Sequence, residues 1–196
     1  MHKNLTKTQD KKINQFIELA LEFNKVHNIF ARKNKDEVFE KDFLDCSPVF
    51  KIIKKGQSVI DLGSGGGFPG ILLSIVKPNN KINLLESSTK KCFFLKSVVE
   101  KLSLSNTQVI NKTIKKENNI GVFDVITARA FATTKKIIAL TKNNTHKNSR
   151  YILLKGREKT VQEELSDIDK NQYIYEIINQ DTKKYERNIV LIKRNE

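Results

Sequence analysis

Apolar residues follow two different spacings along the chain, and the spacing changes once. In the first part they recur every three or four positions over residues 8–30 and again over residues 36–50, which predicts two helical stretches, the second with a break near Pro48. Thr6, with Gln9 three positions later, predicts a capping box at the start of the first helix. We therefore expect a helical cap over residues 1–56.

Beyond the cap, short apolar runs alternate with helical stretches. Strand–helix–strand alternation is typical of a parallel sheet that is covered by helices on both faces. Seven strands are predicted, at residues 58–62, 81–86, 108–111, 123–128, 151–155, 173–179 and 188–193. Helices are predicted near residues 69–76, 89–102 and 133–140.

The last two predicted strands are joined by a short polar connection, residues 180–187, with no helix between them. Such a connection is typical of antiparallel neighbours. The sequence therefore predicts an α/β fold, in which a Rossmann-like, doubly wound, seven-stranded sheet over residues 57–196 has an antiparallel edge strand and carries the N-terminal helical cap. The chain length fits a single domain over residues 1–196.

The charge of the chain favours a polyanionic partner. Its 36 lysines and arginines exceed the 22 aspartates and glutamates, which gives a formal net charge of +14. Even diffuse positive charge attracts phosphate groups. Only six of the basic residues are arginines, and a lysine-rich composition is also expected from an AT-rich genome. The charge therefore indicates a class of partner without locating its binding site.

Cysteine, histidine and hydropathy patterns exclude several classes of protein. Two cysteines without close spacing do not form a disulfide scaffold or a zinc ribbon, and three widely separated histidines do not indicate a metal centre. The longest apolar stretch, residues 71–76, is far shorter than the ~18 residues of a membrane span. Residues 1–7 lack the apolar core of a signal peptide. We expect a cytoplasmic protein that binds neither metal nor membrane.

The sharpest motif is a glycine-rich turn between the first predicted strand and the next helix. Asp61 is followed by Gly63, Gly65 and Gly67 in a GxGxG spacing. Glycine lets the backbone approach a ligand without an intervening Cβ, as an adenosyl cofactor at the end of a first strand requires. Phe68 stands where the dinucleotide fingerprint GxGxxG has its third glycine, which favours S-adenosylmethionine over a nicotinamide cofactor. A tight turn without a ligand is the alternative interpretation.

A carboxylate at the end of the second predicted strand supports a cofactor site. Glu86 lies 19 residues after Gly67, and an acidic residue at about this spacing accepts hydrogen bonds from ribose hydroxyls in nucleotide-binding folds. We therefore predict that Glu86 binds the cofactor together with the glycine turn.

Several segments together resemble the glucose-inhibited division protein B family of bacterial 16S rRNA guanine-N(7)-methyltransferases. They are GSGGGFPGI at residues 63–71, TARAFA at 127–132 and LKG at 154–156, with weaker matches FNKVHNI at 23–29 and FLDC at 43–46. The resemblance implies a class I S-adenosylmethionine-dependent methyltransferase. It also implies that the substrate is a guanosine in a 16S rRNA hairpin loop of the small ribosomal subunit. We expect the enzyme to act as a monomer.

The resemblance places cofactor contacts at Gly63, Phe68 and Arg129, and an ungapped match adds Ile114 and Lys115 after the third predicted strand. The chain departs from the family at two places. Residues 113–116 read TIKK where the family usually has Arg-x-Glu-Glu, and Lys112 replaces the Arg with a shift of one residue. Asp42 stands where the family usually has His.

The implied reaction needs few catalytic groups. N(7) of guanine carries an in-plane lone pair and needs no general base, so the enzyme has to align the reactants and exclude water. Arg129 and Lys155 end the fourth and fifth predicted strands, at the edge where such sheets bind ligands. We predict that these two residues are catalytic and that Arg187 and Lys112 bind RNA phosphates.

Three alternatives remain open from the sequence. The first is an S-adenosylmethionine-dependent methyltransferase that acts on another RNA or on a small molecule. The second is a nucleic-acid-binding protein that has kept the cofactor fold without activity. A nicotinamide-dependent enzyme is the least favoured because Phe68 occupies the fingerprint position.

Overall fold

A computed structural model describes residues 5–117, 119–180 and 185–195 of the chain. The signal-peptide expectation rests partly on residues 1–4, and the polar connection at 180–187 includes residues 181–184. Both of these segments lie outside the described residues.

A seven-stranded mixed sheet forms the centre of the described structure, in the order β3-β2-β1-β4-β5-β7-β6. The first five strands are parallel, while β7 is antiparallel to both β5 and the edge strand β6. The strands are β1 (Ser58–Leu62), β2 (Lys81–Glu86), β3 (Thr107–Asn111), β4 (Phe123–Arg129), β5 (Thr145–Lys155), β6 (Tyr173–Asn179) and β7 (Asn188–Arg194). The predicted α/β fold and its antiparallel edge strand are confirmed.

Helices cover both faces of the sheet. The helices are α1 (Lys7–His27), α2 (Lys35–Val38), α3 (Leu44–Cys46), α4 (Val49–Ile52), α5 (Gly70–Val76), α6 (Thr89–Lys101), α7 (Thr134–Thr141) and α8 (Glu158–Ser166). Buried side chains of α1, α5 and α6 form one hydrophobic cluster with one face of the sheet. Those of α7 and α8 form a second cluster with the other face. Because the first cluster includes the cap, burial of its apolar surface holds the cap against the sheet.

The cap follows the prediction in outline and differs from it in the type of its second helical stretch. Thr6 and Gln9 form the capping box, and α1 ends at His27 because Asn28 adopts a left-handed conformation with φ 45°. The second helical stretch, predicted at residues 36–50 with a break near Pro48, is confirmed, because helical turns run from Lys35 to Cys46 and resume at Val49. The chain forms short segments there, including a π-helical turn at Phe39–Phe43.

Two features of the sheet region also differ from the prediction. β5 begins at Thr145 rather than at residue 151, because its first residues pair with β4 through a bulge. The helix α8 is not predicted by the apolar pattern. Only Val161 and Leu165 among its residues are buried, and two apolar positions give little helical periodicity.

Gly70, the first residue of α5, gives a stability prediction. A Cβ added there would overlap Leu84 and lie 2.6 Å from Asp61 Oδ2, both of which are buried. We expect Gly70→Ala to lower the free energy of unfolding by about 2 kcal/mol, because overpacking forces neighbouring groups to shift. Gly156→Ala is the control, since an added Cβ there meets nothing within 4 Å. Equal urea unfolding curves for the two variants would contradict this account of the packing.

Candidate active site

A cavity of about 690 Å³ lies at the carboxyl ends of the parallel strands, between the cap and the sheet. Its lining includes the turn after β1, the ends of β4 and β5 and part of the cap. Since β2 and β4 flank β1 on opposite sides, this is the point where the strand order reverses. Doubly wound folds bind their ligands in the crevice at this point.

The glycine turn after β1 is bound to the neighbouring strand. The backbone N–H groups of Gly63 and Ser64 donate to the Leu85 carbonyl at 2.8 and 3.1 Å. Gly63, Gly65 and Gly67 all have positive φ, at 67°, 54° and 92°, a conformation that favours glycine. The turn therefore presents a fixed, nearly side-chain-free backbone to the cavity.

The three glycines of the motif have different surroundings. A Cβ at Gly65 would meet only the Gly63 carbonyl oxygen, at 3.5 Å. At Gly67 it would lie 2.8 Å from Ile71 and 3.0 Å from Phe16, and Gly67 is not part of the cavity lining. Gly63 and Gly65 line the cavity, but a Cβ at Gly63 would lie 2.6 Å from the Phe131 ring. Gly67 allows the cap helix to pack closely.

The buried carboxylate of Asp61 fixes the position of the glycine turn. Its carboxylate accepts hydrogen bonds from the Gly70 N–H at 3.2 Å and from the Thr127 hydroxyl at 3.0 Å. It thereby connects β1 to the start of α5 and to β4. Burial raises the pKa of Asp61 from its ordinary value of 3.8 to about 6, although these hydrogen bonds oppose the shift.

This shift predicts a pH-dependent stability. Because the native state favours protonated Asp61, its contribution to stability is full below about pH 4 and is lost as the pH rises through about 6. Asp61→Asn lacks this titration. We compare the free energy of unfolding of the variant with that of the unmodified protein. The difference, variant minus unmodified, should rise by about 2 kcal/mol from pH 4 to pH 7. Urea unfolding of both proteins at the two pH values measures this change, and a constant difference would contradict the assignment.

Glu86 supports the turn with both of its carboxylate oxygens. Oε2 accepts a hydrogen bond from the Gly65 N–H at 2.9 Å and Oε1 accepts one from the Ser88 N–H at 2.8 Å. The residue is 7% exposed and is not part of the cavity lining. The structure therefore gives Glu86 a role in fixing Gly65. Each oxygen has a second lone pair, and the contact with ribose stays a prediction.

Arg129 lies at the end of β4, where its guanidinium is fixed by the cap. Nη1 lies 2.7 Å from Asp42 Oδ1 and 3.4 Å from Asp45 Oδ2, and the guanidinium carbon lies 5.5 Å from the centre of the Phe68 ring. Arg32 also binds Asp42, through two hydrogen bonds of 2.7 and 3.0 Å. Asp42 is only 2% exposed, so two guanidinium groups share one buried carboxylate.

Arg187 and Lys155 also line the cavity, each beside a carboxylate. Arg187 Nε lies 3.5 Å from Asp45 Oδ1. Lys155 donates to Glu164 Oε2 at 2.7 Å and to the Ala132 carbonyl at 3.0 Å. The ammonium group of Lys155 is thus held by α8, and its catalytic role stays a prediction.

The residues after β3 begin beside Glu86, because the Lys112 N–H donates to the Glu86 carbonyl at 3.1 Å. Ile114 is buried in the hydrophobic cluster beneath α7 and α8, and Lys112 and Lys115 are exposed. None of the three is part of the cavity lining. Their proposed contacts with cofactor or RNA stay predictions.

Sequence reasoning missed the acidic residues of the site. Asp42 is recognisable only as a departure from the family and Asp45 only as part of a weak match, and neither position reveals its arginine partners. Glu164 lies on the helix that the apolar pattern does not predict. The signal that could have found the first two is the group of acidic residues between positions 36 and 45 of the cap.

Comparison with known proteins decides the family. The model for "GidB: rRNA small subunit methyltransferase G" matches residues 9–192 of the chain. The chain belongs to the GidB family.

Individual relatives agree with the GidB assignment over most of their length. A ribosomal RNA small subunit methyltransferase G from Brachyspira hyodysenteriae is 34% identical over 192 residues, which cover 96% of this chain and 92% of that protein. A protein of the same name from Mycoplasma capricolum is 38% identical over 161 residues, covering 79% of this chain and 69% of that protein.

Solved structures show the same fold at low identity. An O-methyltransferase from Bacillus cereus in complex with SAH has a TM-score of 0.64 at 14% identity, covering 92% of this chain and 91% of that chain. The Bacillus subtilis tRNA methyltransferase TrmK has a TM-score of 0.61 at 18% identity, covering 78% of this chain and 66% of that chain. The predicted class I methyltransferase fold is therefore confirmed.

GidB membership also confirms the predicted enzyme class and the predicted cofactor, S-adenosylmethionine. The cavity fits this cofactor in two respects. Its volume of about 690 Å³ is within the range of roughly 300–1,000 Å³ for small-molecule sites. The backbone at Gly65 is open where an adenosyl group would approach. Within the described ranges, no helix has the length and hydropathy needed to cross a bilayer.

Proposed function

We propose that this protein transfers a methyl group from S-adenosylmethionine to N(7) of a guanosine in a 16S rRNA hairpin loop of the small ribosomal subunit. The observation that carries the proposal is the fixed guanidinium of Arg129, which lines the same cavity as the glycine turn. The cap and the sheet then work as one methyltransferase domain over residues 1–196, as a monomer in the cytoplasm.

The chain's own residues align the reactants and exclude water. When bound, S-adenosylmethionine would supply a methyl group on a positively charged sulfur. The N(7) lone pair of guanine would attack the methyl carbon in line, and the sulfur would leave with the electrons of the broken carbon–sulfur bond. The backbone of Gly63 and Gly65 fixes the cofactor side of the cavity, and Phe68 and Phe131 contribute apolar surface to its wall. Holding the reactants in this way lowers the barrier without any proton transfer.

Arg129 is suited to orient guanine without blocking the reacting atom. A guanidinium can donate hydrogen bonds to guanine O6 or to a neighbouring phosphate, which leaves N(7) free to attack. The reaction moves positive charge onto the purine, and a bare cation nearby would oppose this. Asp42 and Asp45, at 2.7 and 3.4 Å from the guanidinium, balance its charge.

The cations around the cavity favour RNA over a small-molecule substrate. Besides Arg129 and Lys155, four further cations line the cavity: Arg32, Lys41, Lys91 and Arg187. Among the described residues, two carboxylates, Asp45 and Glu164, are part of the same lining. Such an excess of cations attracts a phosphate backbone, and a small neutral substrate does not require it.

Methyl transfer to defined acceptors tests the proposal. Small ribosomal subunits from cells that lack this protein are incubated with it and with labelled S-adenosylmethionine. We expect label in one guanosine of the 16S rRNA, which then becomes sensitive to reduction and aniline cleavage as 7-methylguanosine does. Label in another base, or transfer only to small molecules, would contradict the proposal.

A further inference from the structure

A second concentration of positive charge lies at the far end of the sheet from the active site. The strand β5 runs from Thr145 to Lys155, and Lys155 is at the cavity. Around the beginning of this strand and the end of β7 is a groove of about 440 Å³. The groove is lined by Lys147, Asn148, Arg150, Lys193, Arg194 and Asn195. Among the residues that the structure describes, its lining thus contains four cations and no carboxylate, and we call it the basic groove.

Two of these cations face each other across neighbouring strands. Arg150 and Lys193 are direct partners in the antiparallel register of β5 and β7. Like charges at directly opposed positions destabilise a sheet. A bound anion between them would remove this repulsion.

The cations of the basic groove make no ion pair within the described part of the chain. The ion pairs found there involve other cations. Arg150 donates instead to the neutral Gln57 side chain, and Arg194 to the Thr145 hydroxyl, both at 3.3 Å. These bonds orient the two guanidinium groups and leave their charge available.

A rigid bulge brings Lys147 to the groove. The register between β4 and β5 shifts, so that residues 145–150 of β5 oppose only residues 123–125 of β4. Ser149 holds the bulge by donating to the Phe123 carbonyl at 2.7 Å and accepting from the His146 N–H at 2.8 Å. Bulges redirect side chains at functional surfaces, and this one projects the exposed Lys147 outward.

One carboxylate does lie at the base of the bulge. Asp124 accepts hydrogen bonds from the Ser58 N–H and hydroxyl, both at 2.7 Å, and lies 3.1 Å from His146 Nε2. Its partners are therefore Ser58 and His146, and it makes no ion pair with the cations of the basic groove.

We propose that the basic groove binds the phosphodiester backbone of the RNA substrate, away from the catalytic cavity. This inference rests on the proposed rRNA substrate. From Arg150 to Lys155, five strand residues of about 3.3 Å each span roughly 17 Å. A nucleic-acid duplex carries one negative charge per about 1.7 Å of its axis. A helical arm next to the target loop can therefore reach the groove with several phosphates.

Charge reversal at the two exposed lysines tests the groove. Lys147→Glu with Lys193→Glu leaves the hydrogen bonds of Arg150 and Arg194 in place. We expect KM for small subunits to rise at least tenfold with kcat unchanged. The slope of log KM against log salt should fall by about two, because about one ion is released for each phosphate contact. Affinity for deproteinised small-subunit rRNA should fall by a similar factor.

The matched control carries the same charge change on the other half of the sheet. Lys11→Glu with Lys101→Glu alters two exposed lysines on α1 and α6. Equal KM and RNA affinity for the two double variants would overturn the proposal. A raised KM on subunits with unchanged affinity for deproteinised rRNA would also overturn it, because the groove would then bind a ribosomal protein. If the unmodified enzyme fails to methylate subunits, the proposed function is wrong. The affinities of the two double variants for deproteinised rRNA then still test whether the groove binds RNA.

Discussion

Replacing Arg129 by alanine is expected to reduce methyl transfer at least tenfold, which corresponds to about 1.4 kcal/mol in the barrier. The reason is that its guanidinium is held at the cavity, at the end of β4, by Asp42 at 2.7 Å and by the face of Phe68. The fold should survive. Asp42 keeps its two hydrogen bonds from Arg32, so no buried carboxylate loses every partner. Initial rates on small subunits, with urea unfolding in parallel, measure both effects.

Arg32→Ala is the control for this prediction, since it removes the other guanidinium bound to Asp42 and leaves Arg129 in place. Its rate should stay well above that of Arg129→Ala. Arg129→Lys should remain impaired, because an ammonium keeps the charge but loses the planar set of donors. Wild-type rates in Arg129→Ala, or equal losses in the Arg32 and Arg129 variants, would show that Arg129 has no special position in the reaction.

Local patterns predicted the part of the site that local sequence encodes. The turn after β1 lies between a strand and a helix, and its glycines are needed for positive φ and close approach. The bounds of β1, β2 and β6 follow from short apolar runs that end at glycine or polar residues. These features depend on neighbours in sequence, so the fold and the cofactor loop could be found without the structure.

The environment of Arg129 depends on contacts that local patterns do not contain. Its hydrogen bond to Asp45 joins residues 84 positions apart. The two acids come from short cap segments in and after a π-helical turn, inside the helical stretch predicted at residues 36–50. Ion pairs between distant elements follow from tertiary packing, and an acid on a helix is by itself typical of a solvated surface.

Lys155 shows how one missed element changes the interpretation of a site residue. The sequence places it at the carboxyl end of β5, and the structure confirms that position. Its partner Glu164 lies on α8, and the same carboxylate accepts hydrogen bonds from the N–H and hydroxyl of Thr134 at 2.8 and 2.7 Å. Lys155 therefore connects β5, α7 and α8 beside the cavity. This arrangement favours a role in holding the end of β5 in place.

Replacing Gly65 by valine is expected to weaken S-adenosylmethionine binding at least 100-fold, about 2.7 kcal/mol. The physical reason is the loss of the open backbone at this point of the cavity, since a branched side chain would enter the space that the cofactor requires. The left-handed conformation of Gly65, with φ 54°, adds roughly 1–2 kcal/mol of strain for a residue with a Cβ. Calorimetric titration with S-adenosylmethionine measures the affinity.

Gly56→Val separates the loss of ligand space from backbone strain. Gly56 also has a positive φ, of 84°, but an added Cβ there meets nothing within 4 Å, and the residue does not line the cavity. Both variants should therefore lose similar stability, while only Gly65→Val should lose the cofactor. If the two variants bind S-adenosylmethionine equally well, the adenosyl group does not lie against this turn. Strain alone could not produce the expected difference, because both substitutions impose it.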